Sequence, residues 1–145
     1  MITVGPVSLE DTFSLRQAVL GWDPPRVHSD DGGSHLGVIE SGTVIAVVSH
    51  ASWPCPSFAG AARYFWAMAV APSAHGRGCG RRLLSAVAAA GEAAGDQLMW
   101  ADARQSAVPF YQACGFVVDD VPPYVDEVTG LVDRRVIRAL AVRQS

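Results

Sequence analysis

The chain has 145 residues and contains no lysine. This absence excludes a Schiff-base lysine, a lysine general base and the phosphate-binding lysine of a P-loop. Cysteine is scarce: Cys55, Cys79 and Cys114 are widely spaced and form no C-x-x-C pair. We therefore expect reduced thiols rather than a disulfide framework or a zinc knuckle. His28 and His35 are seven residues apart with no evident third ligand, so we expect no metal.

Long apolar runs are also missing. No stretch approaches the roughly 20 apolar residues that a membrane-spanning helix needs. The start, MITVGPVSLED, has neither the basic nor the apolar region of a signal peptide. The length fits one domain, and 50% of the residues are hydrophobic, enough for a single core. We expect one cytoplasmic domain over residues 1–145, without membrane association.

Acidic residues are absent between Ser41 and Gly91, although the whole chain has a net charge of -3. That stretch carries four arginines and therefore a local charge of +4, which favours an anionic ligand. The acidic pairs elsewhere could attract a cationic ligand or serve only solubility. DNA binding is disfavoured, because the arginines are few and the net charge is negative. The four arginines are Arg63, Arg77, Arg81 and Arg82, and the acidic pairs are Asp30-Asp31, Asp119-Asp120 and Asp126-Glu127.

Hydrophobic periodicity and turn residues predict a mixed α and β chain. Ser8 with Asp11 three residues later is close to a capping box, and Ser41-Gly42 is typical of a two-residue hairpin turn. Gly115 stands where a left-handed residue would end a helix. The predicted helices are Leu9–Leu20, Gly80–Ala94 and Ser106–Cys114, a short turn is possible within Gly21–Gly33, and the predicted strands are Ile2–Val4, His35–Glu40, Thr43–Ser49, Arg63–Val70, Gln97–Ala103, Phe116–Val118 and Asp133–Val142.

The segment VAPSAHGRGCGRR, residues 70–82, combines alternating glycines with arginines. A strand that ends in a glycine-rich turn and opens a helix directs several unpaired N–H groups at one place, where the helix dipole favours an anion. Arg81 and Arg82 lie in the first helical turn, which disfavours cations unless an anion is bound. A bound phosphate would be gripped by both amides and guanidinium groups. The alternative is that these arginines simply point into solvent.

Two common phosphate motifs do not fit this segment. A Walker loop needs a lysine, and the G-x-G-x-x-G fingerprint fails whether it is counted from Gly76 or from Gly78. The spacing x-x-G-x-G after a strand and V-x-P resembles the acyl-CoA motif of the GNAT superfamily of N-acetyltransferases. The block ARQSAVPFYQACGF, residues 103–116, is similar to that family's A-x-x-F-Y-x-x-x-G-F segment. The strings LRQAVL and VTGLVDRRVI resemble its ElaA-like subgroup.

The resemblance implies an α/β fold of the GNAT type, with a central mixed, mostly antiparallel sheet of about six to seven strands and about four helices. It implies acetyl-CoA as acyl donor and an amine-bearing small molecule as acceptor. A homodimer is a further expectation, since edge-strand dimers are common in the family. The implied acyl-CoA-binding residues are Met68, Ala69, Val70, His75, Gly76, Arg77, Gly78, Cys79, Gly80, Arg81, Arg104 and Tyr111.

The chain departs from the family pattern at several positions. His75 replaces the usual Gln or Arg, and Arg104 replaces an asparagine that many members use to contact pantetheine. Leu131-Val132-Asp133 replaces the Gly-x-Pro-His run common in the ElaA-like subgroup. The glutamates often invoked as general base are missing from Arg63–Val70.

The resemblance also implies the chemistry: an amine attacks the thioester carbonyl directly, and a thiolate leaves. Backbone N–H groups along Met68–Val70 would polarise that carbonyl, and Tyr111 would be the general acid. The alternative for Tyr111 is a packed aromatic beside Phe110. The candidate bases are His50, Asp102 and a water chain, with a hydrogen-bonded loop histidine as the alternative for His50.

Further residues allow both a functional and a structural interpretation. Cys79 lies at a helix start near arginines, where its thiol could be activated, but packing is the simpler role. Trp22, Trp53 and Phe58 could line an acceptor pocket or cover the core. We predict an N-acetyltransferase of small amines, with a catalytically inactive acyl-CoA-binding module or an acetyltransferase of a protein amine as alternatives.

Overall fold

The computed structural model describes residues 1–21, 33–127 and 129–141. Within them the chain forms eight strands and three α-helices, with short 3-10 turns at Pro72–Ala74 and Gln105–Ala107. The elements in chain order are β1 (Ile2–Pro6), α1 (Leu9–Leu20), β2 (Ser34–Glu40), β3 (Thr43–Ser52), β4 (Ala62–Val70), α2 (Cys79–Ala93), β5 (Leu98–Arg104), α3 (Val108–Ala113), β6 (Val117–Val118), β7 (Tyr124–Val125) and β8 (Val132–Ala139).

The strands are ordered β1-β2-β3-β4-β5-β8-β6 in an eight-stranded sheet, and β7 pairs with β8. The pairs β1/β2, β2/β3, β5/β8, β6/β8 and β7/β8 are antiparallel, whereas β4 and β5 are parallel. The predicted mixed, mostly antiparallel α/β fold is therefore confirmed. The sheet has one strand more than the upper predicted count, because the two-residue β7 is too short to give a periodic signal.

The chain divides into two compact units. Residues 1–51 and 65–90 form the first unit, and the described parts of 52–64 and 91–145 form the second. Strand β4 contributes residues 62–64 to the second unit and its remainder to the first. The core of the first unit includes Val38, Val47, Val48, Leu83, Leu84 and Val87, and that of the second includes Leu98, Met99, Trp100, Phe116, Val136 and Leu140.

Local signals set the bounds of the first elements. Helix α1 begins after Ser8, whose hydroxyl accepts from the Asp11 N–H while the Asp11 carboxylate accepts from the Ser8 N–H, so the capping box is present. Gly21 ends the helix in the left-handed conformation, with φ of 69°. Ser41 and Gly42 both have positive φ, which a two-residue hairpin turn between β2 and β3 requires.

Helix α2 is amphipathic, and its orientation matters for the site described below. Leu83, Leu84 and Val87 are fully or almost fully buried, at the three- and four-residue spacing of one helical face. Arg81 and Arg82 are exposed on the first turn. The helix therefore shows its cationic side chains to solvent at the end where its amides lack intrahelical acceptors.

Later elements follow the predicted order with shifted ends. Helix α3 starts at Val108, because Gln105–Ala107 form a 3-10 turn, and Gly115 follows it with φ of 90°. Strand β8 covers Val132–Ala139. The predicted strand was too long, since Leu140 and Ala141 lie outside any strand, and Val142 lies outside the described residues. None of the described helices is long and apolar enough to cross a bilayer.

Candidate functional site

The turn between β4 and α2 is shaped by two left-handed glycines. Gly76 has φ of 76° and Gly78 has φ of 77°, a region that side chains rarely adopt. A Cβ added to either glycine would meet no heavy atom within 4 Å. The backbone on this side of the turn is therefore accessible, and any side chain introduced here would enter that open space.

The start of helix α2 lies directly after this turn. The Arg82 N–H donates to the Gly78 carbonyl at 3.0 Å, so Gly78 is the N-cap residue. The amides of Cys79 and Gly80 precede that first bond and have no acceptor within the helix. Such amides, together with the helix dipole, are the donors that phosphate-binding helix N-termini use.

Cys79 is a packed side chain in this arrangement. Cys79 is 2% exposed, and its Sγ lies 3.9 Å from the Ala74 carbonyl oxygen. A buried thiol of this kind supports the packing interpretation. Its contribution to an anion site comes from the backbone N–H.

Arg77 forms an ion pair with Glu40 of β2. Both terminal nitrogens of the guanidinium donate to the carboxylate, with Nη1 at 3.1 Å from Oε1 and Nη2 in contact with Oε2. These hydrogen bonds lower the pKa of Glu40 below its usual value. Glu40 stands just before the acid-free stretch, and no pattern in the sequence links it to Arg77.

His75 is held by the end of β4. Its Nε2 lies 3.2 Å from the Val70 carbonyl oxygen, which can only accept, so Nε2 carries the proton. The other ring nitrogen, Nδ1, can therefore donate to an anion only when the ring is an imidazolium. His75 is exposed, as are Gly76, Arg77 and Gly78.

Strand β4 has one residue of unusual backbone conformation just before the residues predicted to hold the acyl group. Ala67 has φ of 55°, a left-handed conformation that is uncommon for any residue except glycine. Met68 and Val70 are partly exposed, whereas Ala69 is buried. The first unit thus contains Met68–Val70 and the whole turn from His75 to Arg81.

Tyr111 and Arg104 belong to the second unit. The Tyr111 ring contacts Phe110 and Phe116 edge to face, with ring centres 5.2 Å and 5.5 Å apart. Burial, and to a lesser extent the Cys114 thiolate charge, raises the pKa of Tyr111 to about 12. The phenol is therefore fully protonated at neutral pH and stays so well into the alkaline range.

Arg104 is engaged by the loop before β8 and by β8 itself. Its Nη1 donates to Asp133 Oδ1 at 2.9 Å and to Thr129 Oγ1 at 3.0 Å, and lies 3.6 Å from Asp126 Oδ2. Desolvation raises the pKa of Asp133, and Arg104 partly offsets that shift. The structure thus gives Arg104 a role in holding this acidic cluster, which the sequence did not indicate.

Asp102, a candidate base, lies between two phenols. Its Oδ2 accepts from the Tyr64 hydroxyl at 2.8 Å, and its Oδ1 accepts from the Tyr124 hydroxyl. Burial, followed by the charge of the Asp102 carboxylate, raises the pKa of Tyr64. Burial, followed by the hydrogen bond to Asp102, raises the pKa of Tyr124. Both oxygens of this carboxylate are therefore already hydrogen-bonded. His50, another candidate, is 4% exposed in β3.

The other aromatic and ionic candidates fall into three groups. Phe58 packs against the cluster of Cys55, Ala62, Leu98 and Trp100, as a core-covering residue would. Trp53 is 61% exposed. Trp22, His28, Asp30 and Asp31 lie outside the described residues. Within the described part of the chain, no three His, Cys, Asp or Glu side chains are grouped as metal ligands.

The family model described as Acetyltransferase (GNAT) family matches residues 7–116, which is more than half of the chain. The chain belongs to the GNAT acetyltransferase family. That assignment confirms the resemblance drawn from the glycine turn and the block over residues 103–116. No curated protein matches the chain in sequence.

Solved GNAT structures share the fold at low sequence identity. The ribosomal-protein-S18-alanine N-acetyltransferase from Escherichia coli is 16% identical, with 100% of this chain and 97% of that chain covered and a TM-score of 0.75. Escherichia coli ElaA is 16% identical over 95% and 99% of the two chains, with a TM-score of 0.73. A GNAT family acetyltransferase from Elizabethkingia anophelis, with acetyl-CoA bound, is 16% identical over 96% and 98%, with a TM-score of 0.72.

Proposed function

We propose that this GNAT protein is an acetyl-CoA-dependent N-acetyltransferase that transfers the acetyl group to the amine of a small molecule by direct attack. The observation that carries the proposal is the turn of left-handed Gly76 and Gly78 leading into the uncapped amides of α2. Acetyl-CoA binding by a solved relative supports the choice of donor.

The pyrophosphate of acetyl-CoA would lie against this turn. The amides of residues 76–81 donate to it, and the exposed Arg81 guanidinium adds charge at the same helix end. Arg77 contributes only when it exchanges Glu40 for phosphate. His75 contributes a donor from Nδ1 only in its charged form.

The acetyl-CoA supplies an activated acyl group as a thioester. The amides of Met68–Val70 hold the pantetheine arm and donate to the thioester carbonyl oxygen, where negative charge develops. Arg104 contacts pantetheine through guanidinium N–H groups other than those held by Asp133 and Thr129.

Tyr111 donates a hydrogen bond to the leaving sulfur. A phenol with a pKa of about 12 is fully protonated at neutral pH, as a hydrogen-bond donor must be. Complete transfer to a thiolate with a pKa of roughly 8.5 is uphill, so the phenol acts mainly by hydrogen bonding as the C–S bond breaks.

A second function, an inactive acyl-CoA-binding module, is favoured by one observation. The Asp102 carboxylate already accepts from two phenols, and His50 is buried, so neither has the setting of an effective base. Both functions require acetyl-CoA binding, and they differ in turnover.

The deciding experiment follows free thiol release from acetyl-CoA with a panel of amines. The panel includes polyamines, amino sugars and a peptide with an N-terminal alanine, the last because one solved relative acetylates a ribosomal protein alanine. We expect release with a small amine, and a much slower rate in Tyr111→Phe. Release with the peptide alone would instead assign a protein acceptor. Acetyl-CoA binding without amine-dependent release would establish the binding module, and no binding would refute both.

A further inference from the structure

Helix α1 of the first unit carries a buried arginine. Arg16 is 1% exposed, and a charged side chain is almost never so buried unless its hydrogen bonds are satisfied. Its Nη1 donates to Thr12 Oγ1 at 3.1 Å, and its Nη2 donates to Ser49 Oγ at 2.6 Å. Its Nε donates to the Ala67 carbonyl oxygen at 3.1 Å. One guanidinium therefore joins α1, β3 and β4.

The contact on β4 falls on the most unusual residue of that strand. Ala67 has φ of 55°, a conformation that L side chains disfavour and that persists only where surrounding contacts hold it. The Ala67 carbonyl lies in one peptide plane with the Met68 N–H. Holding the carbonyl therefore fixes that plane and supports the positive-φ conformation at Ala67, which we call the bend. The next residues are Met68–Val70, whose amide directions depend on it.

We propose that Arg16 is a positioning residue: by holding the Ala67 carbonyl it keeps β4 bent, and so orients the Met68–Val70 amides toward the acyl-pantetheine arm. The acyl-CoA part rests on the proposed function. A guanidinium suits this task because its rigid, planar set of donors is fixed by Thr12 and Ser49 on one side while Nε donates on the other. A lysine ammonium, a single nitrogen, could not reproduce all three contacts.

The test compares the wild type with Arg16→Gln, Ala67→Gly and the double variant. Glycine adopts positive φ without strain, so in the Ala67→Gly background the bend no longer needs the guanidinium. We expect Arg16→Gln to raise the Kd for acetyl-CoA about tenfold, and to raise it by no more than about twofold when residue 67 is glycine. Isothermal calorimetry measures Kd, and thermal unfolding reports stability in parallel.

Ser49→Ala is the matched control. It removes one anchor of Arg16 but leaves the Nε donation to Ala67, so it should lower the Tm while changing Kd by less than about twofold. Equal effects of Arg16→Gln in both backgrounds, or a Kd for Ser49→Ala raised as much as for Arg16→Gln, would mean that Arg16 supports only stability. If Arg16→Gln does not fold, Arg16→Lys takes its place in the same comparison.

A readout without ligand separates this inference from the proposed function. Amide hydrogen exchange at residues 67–70 should be faster in Arg16→Gln than in the wild type, and this difference should shrink in the Ala67→Gly background. Unchanged exchange overturns the positioning role even if acetyl-CoA binds. Faster exchange in a protein that never binds acetyl-CoA leaves Arg16 as the support of the bend and refutes the acetyltransferase instead.

Discussion

Gly78→Asp is the sharpest test of the phosphate site. The substitution places a carboxylate at the N-cap of α2, in the open space beside the turn. We expect a folded protein that no longer binds acetyl-CoA. The effect of the substitution on folding can be separated from its effect on acetyl-CoA binding, because the two have different physical causes.

The cost to folding should be small. A Cβ at Gly78 would meet no heavy atom within 4 Å, so there is no clash. Asp tolerates positive φ better than most residues, and the strain of about 1 kcal/mol is offset by about 0.3 to 1 kcal/mol from a carboxylate at a helix N-terminus. The free energy of unfolding should therefore change by less than about 1 kcal/mol.

The cost to binding should be large. Two like charges about 4 Å apart repel by roughly 1 kcal/mol in bulk water and roughly 4 kcal/mol at an effective dielectric constant of 20. A pyrophosphate brings two charges, so the repulsion is about 2 to 8 kcal/mol, and we expect Kd to rise by at least about thirtyfold.

Calorimetry with acetyl-CoA and urea unfolding measure the two quantities, and two variants serve as controls. Gly78→Asn has the same shape and tolerance of positive φ without the charge, and should lose far less affinity. Gly95→Asp introduces the same charge at a glycine with φ of 84° and equal space, but after the C-terminal end of α2, and should bind normally. A folded Gly78→Asp protein with the wild-type Kd, or equal losses for Asp and Asn, would refute the argument.

Three further outcomes are expected. Glu40→Gln should release Arg77 for phosphate and tighten acetyl-CoA binding roughly two- to fivefold at low salt. Added salt should reduce this gain in affinity. Unchanged affinity would argue against Arg77 as a ligand. Tyr111→Phe should lower kcat by about a hundredfold with little change in KM. Because burial raises the Tyr111 pKa to about 12, its proton is lost only above that range, so an alkaline pKa near 10 that disappears in the Phe variant would contradict the assignment. Asp96→Ala should lower the free energy of unfolding by about 3 to 5 kcal/mol in urea, because it breaks a buried ion pair. The Arg63 Nε lies 2.8 Å from Asp96 Oδ2, and the two side chains are only 11% and 3% exposed. A loss below about 1 kcal/mol would contradict this.

Local rules made much of the fold predictable. The capping box at Ser8 fixed the start of α1, and Ser41-Gly42 marked the β2-β3 turn, because each depends on residues within a few positions of one another. The turn of Gly76 and Gly78 was predictable for the same reason, since alternating glycines before an apolar helical face specify both the backbone and the helix start.

The partners of charged side chains could not be predicted, because they come from distant parts of the chain. Arg77 and Glu40 are 37 residues apart, and Asp102 lies 38 and 22 residues from Tyr64 and Tyr124. No periodicity or motif connects such positions. Charge patterning predicted a basic region correctly but could not show that two of its arginines, Arg63 and Arg77, are already paired with carboxylates.

The same limit applies to the general base, because the surroundings of each candidate come from distant parts of the chain. Composition offered His50, Asp102 and a water chain, and sequence alone could not rank them. Both oxygens of the Asp102 carboxylate already accept hydrogen bonds from phenols, one from Tyr64 and one from Tyr124. His50 is buried in β3, so we propose water as the proton acceptor. Under that arrangement the acceptor amine's own pKa, rather than a side chain, sets the pH at which it becomes a nucleophile.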